Sequence, residues 1–144
     1  MRSFFESFWF LFLLWAAIMG AWAVTLAYEF HFQYWWIDVL LHFAGGLWTF
    51  VLARYVASRC GLEISGRGKK IATLILFVSF VALVGVLWEW FELFYDRYVF
   101  HTGFTYLPGV FEDTLADLFF DLFGALVSFL FYFRRDPTKQ VASF

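Results

Sequence analysis

The chain has 144 residues, 63% of them hydrophobic and 26% aromatic, with 23 phenylalanines and a formal net charge of -2. A soluble domain averages about 45–50% apolar residues, so a water-soluble globular class is excluded, and the length suits one compact unit rather than two. The single cysteine, Cys60, excludes an internal disulfide and a cysteine-rich metal centre.

Four apolar stretches follow one another, at about 4–28, 34–57, 71–98 and 111–133. Each is long enough, at ~1.5 Å rise per residue, for a helix to cross a hydrocarbon core of ~30 Å. Trp and Tyr collect near their ends, as in "YWW" 34–36 and "YDRY" 95–98, where interfacial aromatics belong. Four such segments are too few to close a transmembrane barrel, which leaves helices. Arg2, an apolar run and "AWA" at 21–23 resemble a signal peptide, but the run continues to Tyr28, so a retained first span is expected. The expected fold class is therefore all-α: a four-transmembrane-helix bundle forming a single integral membrane domain over residues 1–144.

Charge sets the expected orientation. If the helices alternate, Arg2, Arg54, Arg59, Arg67, Lys69, Lys70, Arg134, Arg135 and Lys139 share one side, and only Arg97 does not. The positive-inside rule makes that side, with both termini, cytoplasmic. "SGRGKK" 65–70 then reads as a basic loop on anionic lipid. Glu29, Asp38, Glu89, Glu92, Asp96, Glu112, Asp113, Asp117 and Asp121 fall in the outer half, as do His31, His42 and His101. Nucleic acid is not an expected partner; the lipid bilayer is.

Helical spacing gathers these residues into stripes. Asp38 and His42 are four apart, with Gly45 and Gly46 one turn further in. Gly85, Glu89, Glu92 and Asp96 form a second stripe, and Asp113, Asp117 and Asp121, followed by Gly124, a third. Residues at these spacings share a helix face. Counted from the helix ends, His42, Glu89, Glu92, Asp117 and Asp121 all lie ~9–15 Å deep. A charge at mid-helix costs ~2.5–3.5 kcal/mol on insertion scales and nearly always faces an interior cavity and a partner. Only His42, with Arg97 as a second candidate, answers this many carboxylates. Either some of the acids are protonated or a cation is bound. Oxygen-rich ligands with one imidazole suit Mg, Mn, Fe or Zn.

The glycines allow close helix approach, and Ala16, Ala17, Gly20, Ala21 and Ala23 give the first helix a small-residue strip read as packing. Glu112 and Asp113 sit where acids favour a helix N-terminus, with capping and ligation both open for Asp113. Asp96 with Arg97 is expected to cap or solvate the end of the third helix. His31 and His101 read as interfacial loop residues. The apolar connection 99–110, broken by Gly103, Pro108 and Gly109, is expected either to cover the mouth of the cavity or to lie flat in the interface. Glu-x-x-His repeats, HExxH, P-loop and GxGxxG patterns are absent. "DTLADLFFDLFG" is similar to the aspartate ladder of CDP-alcohol phosphotransferases, but their DGxxAR element is missing.

Asp38-x-x-x-His42 with Gly45 and Gly46, Glu89-x-x-Glu92, Asp113-x-x-x-Asp117 and Gly124 together resemble the YjdF-like small bacterial inner-membrane proteins, and more distantly the VanZ-like group, over residues 34–128. The chain is shorter than typical YjdF-like members, and "LPGVFEDTLAD" only approximates the "GD.WD" run before their last acidic helix. The resemblance implies a multi-pass protein of the bacterial cytoplasmic (inner) membrane; VanZ-like relatives are linked to glycopeptide resistance.

Three functional readings follow. In the first, a divalent metal held by His42, Glu89, Asp117 and Asp121 polarises a phosphate or ester of a lipid or lipid-linked substrate, with Glu92 or Asp38 as general base. The second is a non-catalytic accessory subunit packed against other membrane subunits. The third, a cation or proton conduit, requires polar groups through the inner half, where Glu6 stands alone.

Overall fold

The computed structural model describes residues 7–28, 30, 34–62, 68–101 and 103–134. The positions assigned above to Arg2, Glu6, Glu29, His31, Arg67, Arg135 and Lys139 lie outside them. Among the described residues there are four long helices: α1 (Phe8–Ala27), α2 (Trp35–Arg59), α3 (Lys69–Tyr95) and α4 (Val110–Arg134). All four are long and apolar enough to cross a membrane. The expected all-α, four-helix architecture is present.

The helices form because their interiors lack Pro and because an apolar solvent leaves the backbone no partner but itself. Phe, Trp and Leu side chains that would be a liability in water are exposed along every helix, among them Phe12, Leu83, Trp90 and Phe119. In a bilayer these surfaces meet hydrocarbon.

The tightest contact is between α2 and α4. A Cβ on Gly46 would strike the backbone carbonyl of Asp121, and one on Gly124 would strike the carbonyl of Phe43. The two helices cross backbone on backbone, glycine against the opposing chain in both directions, which only residues without a side chain permit. Ser128 Oγ donates to the Leu47 carbonyl nearby at 3.3 Å. Below the crossing, Phe50, Phe77, Val81 and Ala125 make an apolar core. The Phe50 ring meets those of Phe77 and Phe129 edge-on, with centroids 5.5 and 6.4 Å apart. At that end Arg54 lies 3.6 Å over the ring of Tyr132, tying α2 to the last turns of α4.

Helix α1 is peripheral, with only Leu11 and Thr25 buried. Two indole N–H groups hold it: Trp48 donates to the Leu11 carbonyl at 2.8 Å, and Trp22 donates to Glu92 Oε1 at 3.1 Å.

The end of α3 departs from the sequence reading. The helix continues through a π-helical turn, Asp96–Phe100, and stops at His101, whose φ is 56°. Asp96 does not cap or solvate the helix end. It is 1% exposed and folds inward, accepting hydrogen bonds from Gly103 N (2.8 Å), Thr105 N (3.1 Å) and Thr105 Oγ1 (2.6 Å). A buried carboxylate that receives several donors is stable where a bare one is not. The partners come from the following loop rather than from Arg97, whose guanidinium lies 4.6 Å over the Tyr106 ring. Asp96 thereby fixes the short 3₁₀ turn Phe104–Tyr106 over the end of the bundle.

Candidate functional site

Four carboxylates converge on one imidazole. Asp38 and His42 stand one turn apart on α2, Glu89 projects from α3, and Asp117 and Asp121 project from α4. His42 Nε2 lies 3.8 Å from Asp38 Oδ1, 3.8 Å from Glu89 Oε1 and 3.9 Å from Asp117 Oδ1. On the other edge of the ring, Nδ1 lies 3.4 Å from Asp121 Oδ2. The His42 and Asp117 side chains are each 4% exposed, Glu89 13%, and Asp38, nearest the opening, 27%.

The distances on the two edges differ in kind. The Nδ1–Asp121 separation is a long hydrogen bond, whereas the three at Nε2 exceed hydrogen-bonding range. Glu89 uses only one of its oxygens: Thr114 Oγ1 donates to Oε2 at 2.9 Å, while Oε1, which faces the imidazole, is buried and accepts no hydrogen bond among the described residues. Glu92 sits one turn further along α3, held by the Trp22 indole. Two overlapping sets bring one ligand atom per residue within 4.8 Å of one another: Asp38, His42 and Asp117, and His42, Glu89 and Glu92. Asp113 lies further up the same face of α4 and lines the cavity above. Among the described residues no Lys or Arg joins the cluster.

The glycines do more here than let helices approach. Gly45, Gly46 and Gly85 surround Asp121: a Cβ on Gly85 would stand 2.6 Å from its Oδ2, one on Gly45 3.7 Å from its Oδ1, and Gly46 meets its carbonyl. Asp121 fits between α2 and α3 because three facing positions have no side chain.

Two cavities meet at the cluster. The larger, about 510 Å³, is walled by α1, α3 and the first turns of α2 and α4, contains Glu89, Glu92, Asp113 and Asp117, and is covered by Phe104, Thr105, Leu107 and Pro108. The 99–110 connection thus lines the mouth while exposing Tyr106 and Leu107 on its outer side. The smaller cavity, about 220 Å³, runs the other way between α1, α2 and α3 and is lined by aromatic and aliphatic side chains, reaching polar groups at Asp38, His42 and Asp121. Trp22 and Asp38 belong to both.

The residues picked out by spacing, Asp38, His42, Glu89, Glu92, Asp117 and Asp121, all come together. His101 does not; it is exposed at the end of the π turn. Sequence reasoning missed Trp22 and Thr114, which orient Glu92 and Glu89. The signals were faint: an indole in the small-residue strip of α1, whose N–H needs a partner when it is buried, and a hydroxyl between two acids of α4.

The chain matches the family model described as "Predicted membrane protein (DUF2238)" over residues 1–137, and it belongs to that family. No curated protein and no solved structure matches it significantly.

Proposed function

We propose that this member of a multi-pass membrane-protein family binds a divalent cation beside Nε2 of His42, with Asp38, Glu89 and Asp117 as the oxygen ligands, and acts with it on the phosphate or ester of a lipid or lipid-linked substrate. The observation that carries the proposal is the spacing at Nε2. Three carboxylate oxygens stand 3.8–3.9 Å from it, beyond hydrogen bonding yet within the ~3–4.4 Å that separates two ligands of one ion bound at ~2.0–2.2 Å; Asp38, His42 and Asp117 already form one mutually close set, and Glu89, which groups with His42 and Glu92, would turn toward them to complete the shell. The buried, undonated Oε1 of Glu89 supports the same reading, since a buried carboxylate oxygen without a partner is costly. Imidazole with carboxylates fits Mg, Mn, Fe or Zn.

The proposal differs from the sequence reading in two roles. Asp121 approaches Nδ1, so it serves to orient the ring and hold Nε2 toward the ligands, as carboxylates behind metal-binding histidines do. Asp38, reading as a base by sequence alone, takes the ligand place on the Nε2 side. Glu92 is the residue suited to general-base work: Trp22 fixes one of its oxygens, and the side chain lines the larger cavity, where it takes a proton from an attacking hydroxyl. A cation held there would supply the positive charge that polarises a scissile group, a role no nearby Lys or Arg fills among the described residues.

In the same reading the cluster lies in the outer-leaflet half with both termini cytoplasmic, which the Lys and Arg distribution supports, and the membrane is a bacterial inner membrane, which the resemblance to YjdF-like proteins supports. A conduit is disfavoured by the core of Phe50, Phe77, Val81 and Ala125 beneath the cluster. The experiment is metal analysis of protein purified in mild detergent, for wild type, His42→Ala and Asp117→Ala, with circular dichroism to confirm helix content. Stoichiometric metal in wild type and loss in both variants is expected. A metal-free wild type at neutral pH overturns the proposal and leaves a hydrogen-bonded acid cluster.

A further inference from the structure

The smaller cavity has a shape that the cation proposal does not require. Among the described residues, indole hydrogen bonds tie helix α1 to the bundle near both ends, Trp48 to Leu11 and Trp22 to Glu92. Both tryptophans line the cavity. Between these ties a cavity opens among α1, α2 and α3, walled by Trp15, Ile18, Met19, Leu41, Val84 and Trp88. From Trp15 to Trp22 the slot follows α1 for ~10 Å, and from Asp38 to Trp48 it follows α2 for ~15 Å, by the rise per residue. Its lining is mostly apolar, with Thr49 as a single hydroxyl beside Trp48. At one end stand Asp38, His42 and Asp121, and beyond them opens the larger, polar cavity.

An apolar cavity in a soluble protein stays dry and empty. In a bilayer the surrounding solvent is hydrocarbon chain, so an apolar slot bordering lipid admits chain without the cost of drawing it from water. Two adjoining compartments, one apolar and elongated, one polar and acidic, complement a molecule with the same division. We infer that the site takes an amphiphile by its two halves: one hydrocarbon chain lies in the α1–α2–α3 slot, and the phosphate-bearing head lies in the larger cavity beneath the 104–108 cover, joined to the acidic cluster through the cation. The head placement rests on the proposed cation site; the chain placement rests on the slot alone. The substrate class is thereby narrowed from lipid in general to a phospholipid or lipid phosphate bound with one chain withdrawn from the bilayer.

The test uses the full chain in nanodiscs containing phosphatidylglycerol with a photoactivatable diazirine in mid-chain, and peptide mapping of the adducts. Labelling of Met19, Leu41 and Val84 is expected, with a fall of at least tenfold in Ile18→Trp and in Val84→Trp, which fill the slot at two different walls. Adducts on the outward-facing Phe12 and Leu83 should be unchanged and serve as the internal control for folding and insertion. Adducts on Phe12 and Leu83 alone in wild type, or slot labelling that both variants leave intact, overturn the inference. Chelation and His42→Gln separate the two proposals. A several-fold loss of slot labelling in both supports a head held through the cation. Slot labelling that survives both keeps the chain placement and overturns the cation-held head. Stoichiometric metal with no slot labelling overturns the chain placement and keeps the metal site.

Discussion

Gly85 on α3 faces the carboxylate of Asp121 on α4 so closely that a Cβ would stand 2.6 Å from Oδ2. With Gly45 and Gly46 on α2, it makes a cradle in which Asp121 reaches the Nδ1 edge of His42. Gly85→Ala is expected to displace that carboxylate, because the contact lies below any distance that real Cβ atoms adopt. The side chain can rotate, so the structural cost is modest, on the order of 1–3 kcal/mol for overpacking. The consequence at the site is larger: His42 loses its orienting partner, and metal affinity should fall about 10–100-fold. Metal titration of the variant checks this, with thermal unfolding alongside.

Gly46→Ala and Gly124→Ala strike backbone rather than a movable side chain. The helices must separate at their crossing, so both variants should lose more stability than Gly85→Ala does. Reduced yield of folded protein in detergent and a lower unfolding midpoint are the expected readouts.

Asp96 holds the cover of the larger cavity through three donors from Gly103 and Thr105. Asp96→Ala leaves those groups without their acceptor and should destabilise the loop by about 1–3 kcal/mol. Hydrogen exchange should rise at Gly103 and Thr105 while the α2–α4 crossing, held by its own glycine contacts, stays protected.

Trp22→Phe and Thr114→Val each remove one hydrogen bond from a site carboxylate, that of Glu92 and that of Glu89 respectively. A loss of about 1 kcal/mol of stability is expected from either. Their effects on the site should differ: Thr114→Val frees a proposed ligand and weakens metal binding, whereas Trp22→Phe spares binding and reduces turnover of a lipid phosphate, because Glu92 is the proposed base. Metal titration and phosphate release, measured on both variants, separate the roles.

Acidification should empty the site. Imidazole and carboxylates bind metal only when deprotonated, so binding releases protons and is opposed by them. Bound metal should decline steadily as pH is lowered from neutral, and return on neutralisation without refolding.

Much of this was legible in the sequence because a bilayer makes polar residues informative. Four long apolar runs leave helices as the only spanning solution, and a period of 3.6 then places Asp38 beside His42 and Asp117 beside Asp121 without any knowledge of tertiary structure. The convergence of α2, α3 and α4 followed from equal depth. What sequence could not supply was which edge of the imidazole each acid meets, because that depends on helix rotation about its axis by a few tens of degrees. Asp96 was misread for a related reason: its partners, Gly103 and Thr105, are brought back by a π turn and a left-handed residue that no periodicity signals. Trp22 went unnoticed because α1 carries no ionisable residue within its described length, so nothing marked which of its faces meets the site.

The central claim is that His42 Nε2 and its three carboxylates share a cation. Titration of metal-free protein with Mn²⁺, followed by the loss of the free-ion electron paramagnetic resonance signal and by competition with Zn²⁺, tests it most directly. Saturable binding of one ion per chain in wild type, displaced by Zn²⁺ and lost in Glu89→Gln and in His42→Gln, is the predicted result. Wild-type protein that leaves the free-ion signal unchanged, or binding that both substitutions leave intact, would contradict it.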